Sequence, residues 1–281
     1  MTFAHHTSIN HPKRWLDCLP RLDVNSHKYS RGHTMIVGGF PMTCASRLAA
    51  YAAARMGSGL TTVIVPEVAF SIYASALTSI MVKPFGDTET VNHLIDDPRI
   101  TSFLIGPGAG VYDDTRLQSL KLLDTKRSVV LDADALTVFQ GDVALLRRHL
   151  SADCVLTPHA GEFQRLFRLT DDRVQSAQLA AQMCGAVVVL KGSETVIASP
   201  CNRIIINIDA PAYLATGGSG DVLAGMIAGL IAQGMPSFEA ACAAVWVHGE
   251  AAKLFGFGLI AEDLPALLPQ VLNKLYSESR G

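Results

Sequence analysis

Residues 214–234 read LATGGSGDVLAGMIAGLIAQG: a glycine-rich turn, one aspartate, then an apolar run with the spacing of a buried helix. Gly217, Gly218 and Gly220 are free to take positive φ and let a ligand approach the backbone, and helical periodicity begins at Val222. The first amides of a helix find no acceptor within it and lie at the positive end of its dipole. A phosphate or a developing oxyanion is therefore stabilised there without a cationic side chain. Asp221 in such a place is either an N-terminal cap or a base facing a hydroxyl that attacks phosphate. The stretch is not a Walker A loop, because no Gly-Lys-Ser/Thr follows the glycines. It is not a dinucleotide fingerprint either, which needs G-x-G-x-x-G directly after a strand. Plain close packing at a helix start remains the competing reading.

Upstream, several short apolar runs each end in a polar or glycine-rich turn. Residues 34–37 break at Gly38-Gly39, 103–105 at GPGAG, 129–131 at Asp132-Ala133-Asp134, 154–156 at Thr157-Pro158-His159, and 187–190 at Lys191-Gly192. Residues 60–65 (LTTVIV) form another strand, parallel to the first across the alanine-rich helix expected over 43–57. A further helix suits 67–82, an antiparallel hairpin at the sheet edge suits 196–197 with 204–208, and helices are expected over 238–255 and from about 264 onward. Strands alternating with helices predict an α/β fold, a three-layer α/β/α sandwich on a mostly parallel sheet. The polar turns then gather at the C-terminal ends of the strands, where such sheets bind ligands.

Composition narrows the partners. With 281 residues, 49% of them hydrophobic, the chain can bury one large core, and no composition break divides it. Residues 1–30 are read as polar and irregular, with Trp15 and Leu16 anchoring an early helix; 1–26 count as an N-terminal extension and 27–281 as one domain. A formal charge of -2 makes no electrostatic case for nucleic acid or an anionic membrane. The longest apolar runs, 222–232 and 240–247, fall short of the ~20 residues of a membrane span. Six cysteines, at 18, 44, 154, 184, 201 and 242, show no metal-ligand spacing and imply a reduced, cytoplasmic protein. His5 and His6 are read as a solvated tail.

Six ordered motifs carry a resemblance: HKYSRGHTMIVGG (27–39), GPGAG (106–110), LDADAL (131–136), TPHAGEF (157–163), VVLKGSET (188–195) and GGSGDVLAG (217–225). Together they resemble the ADP- or ATP-dependent NAD(P)H-hydrate dehydratases, a branch of the ribokinase superfamily. The resemblance implies dehydration of hydrated NADH or NADPH, driven by phosphoryl transfer from ADP, with ATP as the other candidate donor and Mg²⁺ as cofactor. It assigns Asp221 as catalytic base, Gly218, Ser219 and Gly220 as an anion hole, and Lys191, Gly192, Ser193, Glu194, Thr195 and Gly220 to the nucleotide. Ala45, Gly110, His159 and Asp221 fall to the substrate. The resemblance also implies a homo-oligomer, a tetramer, and a functional link to a separate NAD(P)H-hydrate epimerase, since no such module stands in this sequence.

Other readings stand beside these. Lys191 is otherwise a solvated strand-end lysine, His159 a structural histidine, and Glu162 a favourable charge at a helix start. Asp132 and Asp134 either shape a turn or reach Mg²⁺ through water. Two departures from the family pattern are visible, the short segment 40–44 before Ala45 and Thr137 in place of the usual asparagine. A kinase for a vitamin-precursor or sugar hydroxyl is the alternative activity, and a non-catalytic adenylate-binding sensor the alternative class.

Overall fold

Alternation along the strands decides which side of the sheet each residue serves. Ile36, Val63, Val65, Leu104 and Val130 enter one core, while Met35, Val37, Ile64, Phe103, Ile105, Val129 and Leu131 enter another. A sheet covered on both faces needs apolar residues at every strand position, hence the unbroken runs in the sequence. The computed structural model describes residues 7–278. Its strands are β1 (Thr7–Ile9), β2 (His33–Val37), β3 (Leu60–Pro66), β4 (Met81–Phe85), β5 (Ser102–Ile105), β6 (Ser128–Leu131), β7 (Val155–Leu156), β8 (Val187–Leu190), β9 (Thr195–Ala198) and β10 (Ile204–Asn207). They form a single sheet in the order β1-β10-β9-β8-β7-β6-β5-β2-β3-β4. Each neighbouring pair runs parallel except those made by β9, which is antiparallel to both β8 and β10.

The helices are α1 (Cys44–Arg55), α2 (Phe70–Ala76), α3 (Thr88–Ile95), α4 (Asp113–Asp124), α5 (Asp134–Thr137), α6 (Val143–His149), α7 (Ala160–Leu166), α8 (Arg173–Cys184), α9 (Ser219–Ala232), α10 (Ser237–Phe255) and α11 (Leu264–Glu278). Residues of α1, α9, α10 and α11 fill the first core and those of α4 to α8 the second, giving the expected three layers. The tightest contact is α1 on α9. A Cβ on Gly225 would lie 2.1 Å from the Ala49 carbonyl oxygen, and one on Gly229 2.5 Å from that of Ala53. Glycine is required at both places because two backbones meet there.

Some expectations change. The segment before residue 27 is not irregular throughout: Thr7–Ile9 pairs in parallel with β10, so the β9–β10 hairpin is not the sheet's edge. Trp15 is buried against Trp246, and its indole N–H donates to Asn10 Oδ1 at 3.1 Å. Region 67–82 holds a short 3₁₀ turn and α2 and then enters β4, where Pro84 is tolerated because the strand lies on an edge. His5 and His6 lie outside the described residues. No helix among those described is long and apolar enough to cross a membrane.

Candidate functional site

The start of α9 leaves its amides open. Gly218 is the N-cap residue with φ +90°, and no side chain caps the helix. Gly217 and Gly220, equally free to take positive φ, do not. Ser219, Gly220 and Asp221 are the first three helical residues; the Ser219 N–H makes only a long bond to the Thr216 carbonyl at 3.4 Å, and among the described residues the Gly220 and Asp221 amides have no backbone acceptor one turn back. Asp221 is therefore not the cap. Its carboxylate turns back over the helix start, Oδ2 lying 3.9 Å from where a Cβ on Gly218 would stand. Burial, and then repulsion from Asp132, push its pKa up to about 7 against the opposing pull of Lys191. A carboxylate so placed accepts a proton near neutral pH, which suits a general base.

Lys191 directly follows β8 and is pinned by its own N–H donating to the Pro158 carbonyl at 2.9 Å. Its Nζ lies 2.7 Å from Asp132 Oδ1, within a pair whose side chains are 18% and 2% exposed. It is not the solvated strand-end lysine of the alternative reading. Burial works against its charge, but Asp132 and Glu162 hold the ammonium above its usual pKa. A Cβ on Gly220 would stand 3.2 Å from that ammonium, so Lys191 lies alongside the first turn of α9. Burial raises the Glu162 carboxyl as well, with Lys191 pulling it down and Asp132 pushing it up. One ammonium thus answers several carboxylates. Beyond it Gly192, Ser193 and Glu194 are exposed, while Thr195 is buried with its hydroxyl donating to the Gly192 carbonyl at 3.3 Å.

The turn after β6 is strained, Ala133 having φ +48° between the two aspartates. Asp132 is consumed by Lys191, whereas Asp134 Oδ2 accepts from the Gly110 N–H at 2.8 Å and so ties this turn to GPGAG. A Cβ on Gly39 would stand 1.6 Å from the Gly108 carbonyl oxygen, and one on Gly108 3.4 Å from the Ala45 Cβ. Gly110, Asp134 and Ala45 thereby share one contiguous rim. Ala45 is buried at 4% exposure, in the first turn of α1.

His159 is the N-cap of α7. Its Nδ1 accepts from the Gly161 and Glu162 amides at 3.0 and 3.2 Å, so its proton belongs on Nε2, which faces Glu162 Oε1 at 3.2 Å. Glu162 Oε2 completes the box by accepting from the His159 N–H at 2.8 Å. The structural readings of both residues therefore hold, yet the His159 side chain stays 55% exposed, and its backbone forms an isolated parallel β-bridge with Lys191.

Two residues escaped the sequence reading. Arg173 opens α8, and its Nη2 donates to the Lys191 carbonyl at 3.0 Å while standing 2.6 Å from where a Cβ on Gly192 would lie. It supports the Lys191–Gly192 backbone from below. His248 is buried in α10 behind the first turn of α9, bonded to the Ser219 backbone, and burial lowers its pKa to about 4. It is a neutral prop for the helix start. Both roles join segments distant in sequence, and no local motif announces them.

Residues 34–272 match the family model described as NAD(P)H-hydrate dehydratase. An ADP-dependent (S)-NAD(P)H-hydrate dehydratase of Neisseria meningitidis is 38% identical over 270 residues, covering 89% of this chain and 88% of that protein. A bifunctional NAD(P)H-hydrate repair enzyme of Salinibacter ruber is 38% identical over 93% of this chain, which spans only 52% of that relative. The chain covers a similar 53% of its counterpart in Moorella thermoacetica, so it spans about half the length of these curated relatives. Among solved structures, the ADP/ATP-dependent NAD(P)H-hydrate dehydratase of Bacillus subtilis, co-crystallised with ATP/Mg²⁺, superposes with a TM-score of 0.82 at 27% identity. That match covers 97% of this chain and 100% of the other. A ribokinase-like superfamily protein of Enterococcus faecalis, 24% identical over 98% of both chains with a TM-score of 0.85, shares the fold.

Proposed function

Because the chain belongs to the NAD(P)H-hydrate dehydratase family, we propose that it restores NADH or NADPH from the (S)-hydrated forms, using ADP, or ATP, as phosphoryl donor. The observation that carries this reading is Asp221 at an uncapped helix start, with a pKa near 7 and Lys191 beside it. Asp221 takes the proton from the hydroxyl at C6 of the hydrated ring, and that oxygen attacks the terminal phosphate of the nucleotide. The amides of Gly218, Ser219 and Gly220, with the Lys191 ammonium next to them, hold the charge that builds on the transferring group. Hydroxide leaves poorly, whereas phosphate leaves well. The ring nitrogen's lone pair expels the phosphate to leave an iminium, loss of a proton from C5 forms the C5=C6 double bond of the dihydronicotinamide, and AMP (or ADP) and phosphate are the other products.

Lys191 to Thr195 receive the nucleotide, their backbone held by Arg173. Ala45, Gly110 and the exposed ring of His159 line the substrate's side of the same rim. Among the described residues no three potential ligands stand together as a metal site, while the carboxylates outnumber the ammonium. That donor set fits Mg²⁺ held chiefly by phosphate oxygens, with the Asp134 oxygen not spent on Gly110 reaching it through water. The ion would neutralise phosphate charge.

Residues 27–281 act in this reading as one catalytic domain, with 1–26 as its extension. The chain works as a homo-oligomer, a tetramer, supported by the exposed Leu254, Phe255, Phe257 and Ile260 in the last turn of α10 and just beyond it. It acts in the cytoplasm, consistent with six free cysteines, and an NAD(P)H-hydrate epimerase supplies the (S) form. Incubation of the purified chain with hydrated NADH, Mg²⁺ and each nucleotide in turn tests the proposal. Recovery of dihydronicotinamide absorbance with ADP or ATP is the expected result, and none with either rejects it.

A further inference from the structure

The strongest unassigned feature lies at the other end of the strands. A cavity of about 560 Å³ opens between the segments before β2 and β3, the C-terminal ends of α1 and α9, and α11. Arg21, Arg31 and Arg55 line it, and among the described residues no Asp or Glu does. Among the described residues none of the three arginines takes part in an ion pair. Arg31 is partly buried, donates from Nη2 to the Gly57 carbonyl at 3.0 Å, and keeps a buried Nε without a hydrogen-bond partner. Gathering cations beside a donor left unpaired costs the fold stability unless something answers them.

Two helix C-termini also point here and would disfavour an anion, but their carbonyls are already answered. Gln233 Nε2 donates to the Met56 and Gly229 carbonyls at 2.9 and 2.7 Å, and Arg31 takes that of Gly57. One N–H of Arg31 is thus used at a helix end, while among the described residues neither Arg21 nor Arg55 donates to these carbonyls. Leu22, Met56, Pro269 and Leu272 supply an apolar wall to the same cavity. Guanidinium forks match phosphate oxygens in pairs, and an apolar wall accepts a ring or short hydrocarbon. We propose that this cavity binds a phosphate monoester carrying an apolar or aromatic body, with its phosphate on Arg21, Arg31 and Arg55. It is a second site, separated from Asp221 by the length of α9, ~20 Å for its 14 residues.

Titration calorimetry of the full chain with phenyl phosphate tests this, with inorganic phosphate as a second probe. Phenyl phosphate is expected to bind at least tenfold more tightly than inorganic phosphate. The double variant Arg21→Ser/Arg55→Ser, at two exposed positions whose replacement leaves the core intact, is expected to weaken it tenfold or more. Asp221→Asn and saturating ADP are expected to leave it unchanged. Equal affinity for the two probes, binding that survives the double variant, displacement by ADP, or no heat at millimolar probe each overturns the proposal. Arg55→Glu alone gives a check of opposite charge, and unaltered binding in that variant counts against the site equally.

Discussion

The first turn of α9 and the rest of that helix are contiguous in sequence and are stabilised by opposite means. Val222 to Ala232 are buried, packed backbone to backbone on α1 at Gly225 and Gly229, with no charge among them. Ser219, Gly220 and Asp221 are only partly buried, uncapped, and surrounded by carboxylates that a single lysine answers. The lower turns spend every contact on holding position. The upper turn keeps open amides and a carboxylate whose charge the fold disfavours, as a site that must stabilise incoming negative charge requires. Rigidity below lets the strain above persist.

The contrast can be broken most severely from below. Gly225→Val places a side chain against the Ala49 carbonyl, and overpacking between two backbones is expected to cost about 5 kcal/mol, far above any gain in helix propensity of ~1 kcal/mol. Urea denaturation should show it as a collapse of the midpoint. From above, Asp221→Asn should lower turnover a hundredfold or more, about 2.7 kcal/mol, with nucleotide affinity largely kept. Near-normal turnover would return Asp221 to a structural role.

The pH profile sharpens the same point. With Asp221 titrating at about 7 and needed as the anion, kcat/KM of the wild type should fall tenfold per pH unit below that value and level off above it. A profile flat from pH 5 to 8 would contradict the assignment. The smallest effect is on stability and has the reverse sign of the effect on activity. A carboxyl raised from 3.8 to about 7 binds its proton more tightly in the folded state, so its ionisation costs stability as pH rises through that window. Asp221→Asn should thus melt higher than wild type at pH 8, by ~2 kcal/mol or several degrees, and lose that advantage near pH 4.

Much of this was legible in the sequence because the elements that matter have strong local signatures. Unbroken apolar runs ending in polar turns gave β2, β3, β5, β6 and β8, and alanine-rich spacing gave α1. The missed elements have weak ones. β1 is three residues long, and β4 contains Pro84. The inner face of α8 is Ser176, Ala177, Ala180, Ala181 and Cys184, small residues that leave the hydrophobic period faint. At the site, Asp221 and Lys191 were legible from their motifs. The partnership of Lys191 with Asp132 was not, since 59 residues separate them. The capping of α7 by His159 was hidden for another reason, histidine not being among the usual N-cap residues.

The strand Thr7–Ile9 has a consequence for solubility. It lies beside β10 and takes up hydrogen bonds that β10 would otherwise turn to water, and Asn10 fastens the segment by donating to Asn207 and to the Cys242 carbonyl. A protein beginning at Lys13 would keep every group discussed for phosphoryl transfer, yet it would expose an apolar isoleucine ribbon ready to recruit the same ribbon from another copy. Such a shortened chain would fail by sticking to itself, and its lost activity would be easily mistaken for damaged chemistry.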